Sequence, residues 1–120
     1  MSSNDTHDVK IWNMLLEARI PYSTEAEMQG AIETLLVQRG AEFHREFWLS
    51  KKDRVDFMIG GIAVECKVKG NAMAIYRQVQ RYANYECVTG IVLFTSFHMA
   101  LPPLINNKYA MVIKPGKAWL

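Results

Sequence analysis

Apolar residues occupy every second position through Val55, Phe57 and Ile59, and again through Ile62, Val64, Cys66 and Val68. That period marks a half-buried strand pair, because successive side chains on a strand point to opposite faces. Gly60 and Gly61 separate the two runs and supply a tight turn, so the pattern predicts a β-hairpin. A two-residue loop pairs Ile59 with Ile62, which sets Asp56 across from Glu65 and Lys67 across from Arg54. A β-bulge would shift this register by one.

The remaining periodicity is mostly helical. Val9, Trp12, Leu15 and Leu16 make one stripe on a first helix, capped by Asp8 and ending near Ile20 and Pro21. A second helix starts at Thr24, where Thr24 and Glu27 suit a capping box, and runs to Gly40 with Met28, Ile32, Leu35 and Leu36 toward the core. Residues 42 to 49 alternate as a strand, and a turn through Lys51, Lys52 and Asp53 leads into the hairpin. Gly70 and Asn71 open a third helix over residues 72 to about 86, followed by an apolar strand at 90 to 95. After Leu101, Pro102 and Pro103 a last strand spans 109 to 113. This order of elements (α-α-β-β-β-α-β-β) predicts an α/β sandwich on a small mixed sheet, with a right-handed crossover through the third helix.

Composition sets the frame for this pattern. A chain of 120 residues, half of them hydrophobic, suits one domain with one core. No apolar run nears the roughly 20 residues that cross a bilayer, and the polar, partly acidic start is unlike a secretory signal. The expectation is a soluble, cytoplasmic protein with no membrane partner. Cys66 and Cys87 are too few for a disulfide scaffold, so both are read as reduced and structural. His7, His44 and His98 show no zinc-ligand spacing, and the chain carries no Gly-rich phosphate loop or nucleophile elbow. Net charge is only +2, yet residues 39 to 81 hold nine Lys or Arg against five acids. Such a basic middle suits a phosphate backbone, and it also suits an ordinary solvated surface.

The chemistry sits on the polar face of the hairpin. Directly opposed side chains have Cβ atoms about 4.5 to 5.5 Å apart, close enough for Asp56 and Glu65 to share one divalent cation. Lys67 follows two residues after Glu65 on the same face, within reach of an attacking water or a phosphate. The plain alternative is the solvated face of an amphipathic hairpin. Against it, opposed carboxylates repel, and a purely structural pair would avoid them. On the third helix Gln78 and Tyr82 stand one turn apart, able to lean over the site, or else form an interfacial polar pair. Tyr76, Arg77, Arg81 and Tyr85 make an aromatic and basic surface suited to nucleic acid or to a subunit contact.

This element order, together with Asp56, Glu65-Cys66-Lys67 and the Gln78 and Tyr82 pair, resembles the PD-(D/E)xK nuclease superfamily, the restriction-endonuclease-like fold. The likeness covers residues 22 to about 96 and is greatest to small single-domain nucleases of phages and archaea, including Holliday-junction resolvases and viral replication and repair nucleases. Val55 stands before Asp56 where the superfamily name has Pro. The resemblance implies Mg²⁺ or Mn²⁺ held by Asp56, Glu65, the backbone carbonyl of Cys66 and a glutamate of the second helix. Glu25 is chosen over Glu27 and Glu33 because it shares a face with Met28, Ile32 and Leu36. Catalytic roles fall to Asp56, Glu65, Lys67, Glu25 and Gln78, and nucleic-acid contacts to Tyr82, Arg54, Lys69, Arg77, Arg81, Lys51 and Lys52. The implied substrate is DNA, branched DNA above all, cut by a homodimer or higher homo-oligomer, with phage encoding as one origin. A non-catalytic nucleic-acid-binding or assembly module of the same fold, and an RNA-directed or exonucleolytic nuclease, remain alternatives.

Overall fold

The computed structural model describes residues 3 to 21 and 24 to 115. Its elements in chain order are α1 (Ser3–Leu16), α2 (Glu25–Gln38), β1 (His44–Trp48), β2 (Arg54–Ile59), β3 (Ile62–Lys67), α3 (Ala72–Ala83), β4 (Gly90–Thr95), β5 (Leu104–Ile105) and β6 (Lys108–Ile113). They build one six-stranded mixed sheet in the order β1-β2-β3-β4-β6-β5. Short turns join β1, β2 and β3 into an antiparallel meander, whereas β3, β4 and β6 run parallel. A parallel pair needs a long connection, and α3 supplies it between β3 and β4.

Helices cover both faces of the sheet. On one face Ile11 and Leu15 of α1 and Met28, Ile32 and Leu36 of α2 pack on Phe57, Ile59, Ile62, Val64, Cys66, Val92 and Phe94. On the other, Ile75, Val79, Tyr82 and Ala83 of α3 pack on Val55, Met58, Ala63, Ile91 and Leu93. The hairpin is therefore buried on both sides, not half-buried as its alternation predicts, because α3 covers the second face. Cys66 is buried and unpaired with Cys87, which is exposed.

Several helix ends and strands differ from the sequence expectation. The buried stripe of α1 is Ile11 and Leu15, while Val9 and Leu16 are exposed. Asp8 is not the cap, since the helix starts at Ser3; its carboxylate accepts a hydrogen bond from the Thr89 hydroxyl at 3.0 Å. His7 and the polar start of the chain lie outside the residues whose side chains are described. Thr24 does cap α2, accepting from the Glu27 N–H at 3.1 Å. Asn71 caps α3 in the same way through Ala74, and α3 stops at Ala83 rather than near Glu86. Strand β5 was absent from the expected order. It is joined to β6 by Asn106 and Asn107, both at positive φ, the conformation that a tight hairpin turn demands.

One irregularity positions everything that follows. A regular strand puts Val55 and Phe57 on one face. Here Val55 lies under α3 with Met58, whereas Phe57 faces α1 and α2. Strand β1 changes face at the same level, since Phe43 packs with the α1 and α2 cluster and Phe47 with the α3 cluster. Register is kept across the break, with Arg45 opposite Phe57 and Phe47 opposite Val55. The residues at the break are Glu46, whose φ is 51°, and Asp56.

Packing of α1 on the sheet yields a first prediction. A Cβ at Gly90 would sit 2.5 Å from Cζ2 of Trp12, so β4 admits only glycine beneath that indole. Gly90→Ala is expected to cost about 1 to 3 kcal/mol through overpacking. A urea midpoint unchanged from wild type would show that α1 does not dock there.

Candidate functional site

Strands β2 and β3 pair as the two-residue turn predicts, with Ile59 opposite Ile62, Met58 opposite Ala63 and Phe57 opposite Val64. The ladder stops there, one residue short of Asp56. Past this point the backbone donors still need partners, since a buried unpaired N–H is costly. The two acids provide them. The Cys66 N–H donates to Asp56 Oδ2 at 2.8 Å, and the Asp56 N–H donates to Glu65 Oε1 at 3.2 Å. Each carboxylate thus accepts a backbone N–H of the opposite strand and is fixed against it. Lys67 does not reach the position opposite Arg54; its ammonium lies 3.4 Å from Glu65 Oε2. Arg54 pairs instead across β1 with Trp48.

Burial of this pair shapes its electrostatics. Glu65 is 5% exposed, and its carboxyl is pushed up to about 7, by desolvation first and by the Asp56 charge second, against the pull of Lys67. Asp56 is also raised, mainly by desolvation, with the Cys66 N–H and Lys67 opposing and the Glu25 charge adding to the rise. The Cys66 thiol is driven up by burial and by the same acids, so it is no nucleophile, and only its carbonyl is a credible ligand. Among the described residues no group of three or more His, Cys, Asp or Glu is arranged to hold a metal ion.

Both helical layers reach the site. From α2, Glu25 accepts from the Val68 N–H at 3.2 Å, just past the end of β3. Of the three glutamates weighed in α2 it is the one lining the same cleft of about 510 Å³ as Asp56, Glu65 and Lys67. Glu27 sits at the helix cap and Glu33 is paired with Arg45. Gln29 was not foreseen. It accepts from Arg45 Nη2 at 3.0 Å and lines the cleft with Asp56, whose carboxyl it pulls down slightly against the rise that burial imposes. A Gln four residues after a candidate glutamate on the same helix face was the available signal. From α3, Gln78 lines the cleft as expected.

Tyr82 requires correction, whereas Arg81 is exposed and lines the cleft while also making a structural contact. Tyr82 is fully buried, and its hydroxyl donates to the Arg54 carbonyl at 3.1 Å, so it braces β2 and offers no surface to a base. Burial also pushes its phenol up. Arg81 Nε lies 3.1 Å from Asp53 Oδ1, and Asp53 is a buried carboxylate also bonded by the Tyr85 hydroxyl at 2.8 Å. These contacts hold the turn before β2 against α3, and they draw Tyr85 out of the proposed aromatic surface. Lys52 and Arg54 are exposed at the cleft rim, Arg77 lines an adjoining groove with Arg81, and Lys51 and Lys69 are exposed outside the cleft.

A pH signature follows from the buried acids. Between its ordinary 4.5 and about 7, Glu65 keeps a proton in the folded chain that the unfolded chain has released. Unfolding then frees a proton, so stability falls as pH rises through that window and is flat above it. In metal-free buffer, Glu65→Gln is expected to become more stable relative to wild type by on the order of 2 kcal/mol between about pH 5 and about pH 8. Parallel pH profiles of the two proteins in urea melts would contradict the burial of this charge.

No protein-family model matches the chain, and no curated protein or solved structure matches it.

Proposed function

We propose that this chain is a Mg²⁺-dependent nuclease of the restriction-endonuclease-like fold, hydrolysing phosphodiester bonds in DNA. The observation that carries the reading is the convergence of Asp56, Glu65 and Lys67 where the β2 and β3 ladder opens, at the floor of a cleft rimmed by basic side chains. A merely solvated hairpin face would leave these acids in water. Here Glu65 is buried and Asp56 half-buried, with Lys67 as the ammonium that bears on both.

The donor set fits a hard cation. Asp56, Glu65, the Cys66 carbonyl and Glu25 offer only oxygen ligands, and positive charge is what would relieve the desolvated acids. When bound, such an ion would stabilise charge on the scissile phosphate and lower the pKa of a water to be used as nucleophile. The chain's own residues then have distinct tasks. Asp56 is held in place by the Cys66 N–H, with Gln29 beside it on the cleft wall. Lys67, anchored on Glu65, places an ammonium beside the phosphate, where it orients water and offsets developing charge. Gln78 presents an amide from α3 to a phosphate oxygen. Exposed Arg54 and Lys52 at the rim, with Lys51, Lys69 and Arg77 beyond it, would neutralise flanking phosphates without reading sequence. With so little surface left for base readout, shape is the basis of selection, which favours branched DNA and a homodimer placing one cleft on each of two strands.

The decisive assay incubates wild type, Asp56→Asn, Glu65→Gln and Lys67→Ala with supercoiled plasmid, linear duplex, four-way junction and RNA. Wild type is expected to cut with Mg²⁺ and stop with EDTA, and each substitution is expected to lower the rate by about 10²-fold or more. Cleavage that persists in EDTA, or that ignores the substitutions, defeats the mechanism; tight binding without cutting assigns a non-catalytic module.

Metal binding has its own readout. At about pH 8, millimolar Mg²⁺ is expected to raise the thermal midpoint of wild type by mass action and to leave Asp56→Asn unmoved. Equal shifts in both proteins would place the ion elsewhere. Sedimentation that shows only monomer at micromolar concentration would remove symmetric cutting.

A further inference from the structure

Trp48 is the last residue of β1, an edge strand of the sheet, and it is 58% exposed. Tryptophan is highly buried on average, so an indole left mostly in water needs a reason. Three features of its setting bear on that reason. It lines the same cleft as Asp56, Glu65 and Lys67. Its ring is held from one side by the guanidinium of Arg54, its cross-strand partner, whose carbon lies 5.5 Å from the ring centroid. Glu46 lies 3.8 Å from that guanidinium, so the indole is backed on one side by Arg54 and still presents open ring surface.

A flat aromatic face, backed by a cation and set beside a candidate phosphate site, matches what an unstacked nucleobase requires. Stacking tolerates any base because every base has a π-face, and an adjacent Arg adds a cation–π contribution. A base inside an intact duplex has no free face to offer. We propose that Trp48 is a base-stacking subsite that takes an unpaired nucleotide adjoining the phosphate bound at Asp56 and Glu65. The ligand class is therefore single-stranded or locally opened nucleic acid, as at a fork, flap or junction arm, rather than continuous duplex. This rests on the nuclease reading for the position of the phosphate, although the stacking itself does not require cleavage.

The matched break at Glu46 and Asp56 explains how two distant-looking features come to share one cleft. It turns β1 and β2 over by one face, which sets Phe47 and Val55 beneath α3 and leaves their neighbours Trp48 and Arg54 on the other side. The same backbone event thus aims the acid and exposes the indole.

The test is fluorescence anisotropy in EDTA, using the full chain and labelled oligothymidylate of about twelve nucleotides, within the span of a single binding groove, beside a duplex of equal length. Trp48→Ala is expected to weaken oligothymidylate binding about 10- to 100-fold and duplex binding by less than about 3-fold, and Trp48→Phe to recover most of the loss. Equal losses on both ligands, no loss on either, no binding of oligothymidylate by wild type, or failure of Phe to rescue would each overturn the proposal. Plasmid cleavage by Asp56→Asn run alongside separates the two readings. If that variant cuts like wild type while the Trp48 pattern holds, the nuclease mechanism fails and the stacking subsite stands.

Discussion

Backbone hydrogen bonding at the point where β2 leaves β3 governs the rest of this molecule. Once the strands part beyond Phe57 and Val64, the N–H groups of Asp56 and Cys66 are taken up by carboxylates, where Glu65 and Cys66 are buried and Asp56 is half-buried. Leaving either donor bare would cost about 1 to 3 kcal/mol, and a carboxylate oxygen is a stronger acceptor than the carbonyl it replaces. Asp56 and Glu65 are therefore structural residues before they are anything else. They hold the strand ends at a fixed separation, and that separation fixes where their remaining oxygens point. The arrangement is asymmetric in consequence: Asp56 accepts from the Cys66 N–H across the gap, while Glu65 faces Lys67 along its own strand.

The price of this arrangement is electrostatic. Two buried acids with one close ammonium are a poor solution for stability alone, because desolvation of the second charge is not repaid. Protonation of Glu65 is one relief, and it operates only below about pH 7. A divalent cation is another, effective at any higher pH. Sites that accept such a penalty tend to be sites where the charge is used, and the neighbourhood is consistent with that rule. By contrast, Asp53 is as buried as Glu65, but Arg81 bonds one of its carboxylate oxygens and Tyr85 the other, and it lies where a turn must be pinned to a helix.

Much of this was legible in the sequence, for identifiable reasons. The hairpin register followed from Gly60 and Gly61, since a two-residue loop leaves no freedom in which residues pair, and Gly60 does take a positive φ of 58°. The phase of α2 followed from Met28, Ile32 and Leu36 at four-residue spacing, and with it the choice of Glu25. What failed were features set by tertiary contacts. Nothing in the alternation of Val55, Phe57 and Ile59 announces that the first belongs to the opposite face, because all three are apolar and either assignment satisfies the pattern. The stripe of α1 was misphased since Ile11 and Val9 are equally apolar, and only docking on the sheet chose between them. Tyr82 looked like a ligand contact because its hydroxyl was counted and its burial could not be. The Asn106 and Asn107 turn was readable as a hairpin signal, but the two-residue strand before it falls below any useful periodicity.

The division of the basic residues completes the argument. Arg45 is committed to Glu33 and Gln29 and stacks over Phe57 at 4.8 Å, and Arg81 is committed to Asp53. Arg45 is part-buried and binds two partners at once, as a guanidinium can in a fixed plane, whereas Arg81 stays exposed on the cleft wall. The lysines near the site, apart from Lys67, stay exposed: Lys51, Lys52 and Lys69. Flexible ammonium groups in water give contacts that are diffuse and sensitive to salt, which attract a phosphate chain without fixing its register. Register must then come from a less mobile surface in the cleft, and the indole of Trp48, backed by Arg54 and lining the same cleft as the acids, is a flat surface of that kind. Attraction by lysines and alignment by an aromatic plane are separable properties, so salt should weaken the first while leaving the preference for an opened strand in place.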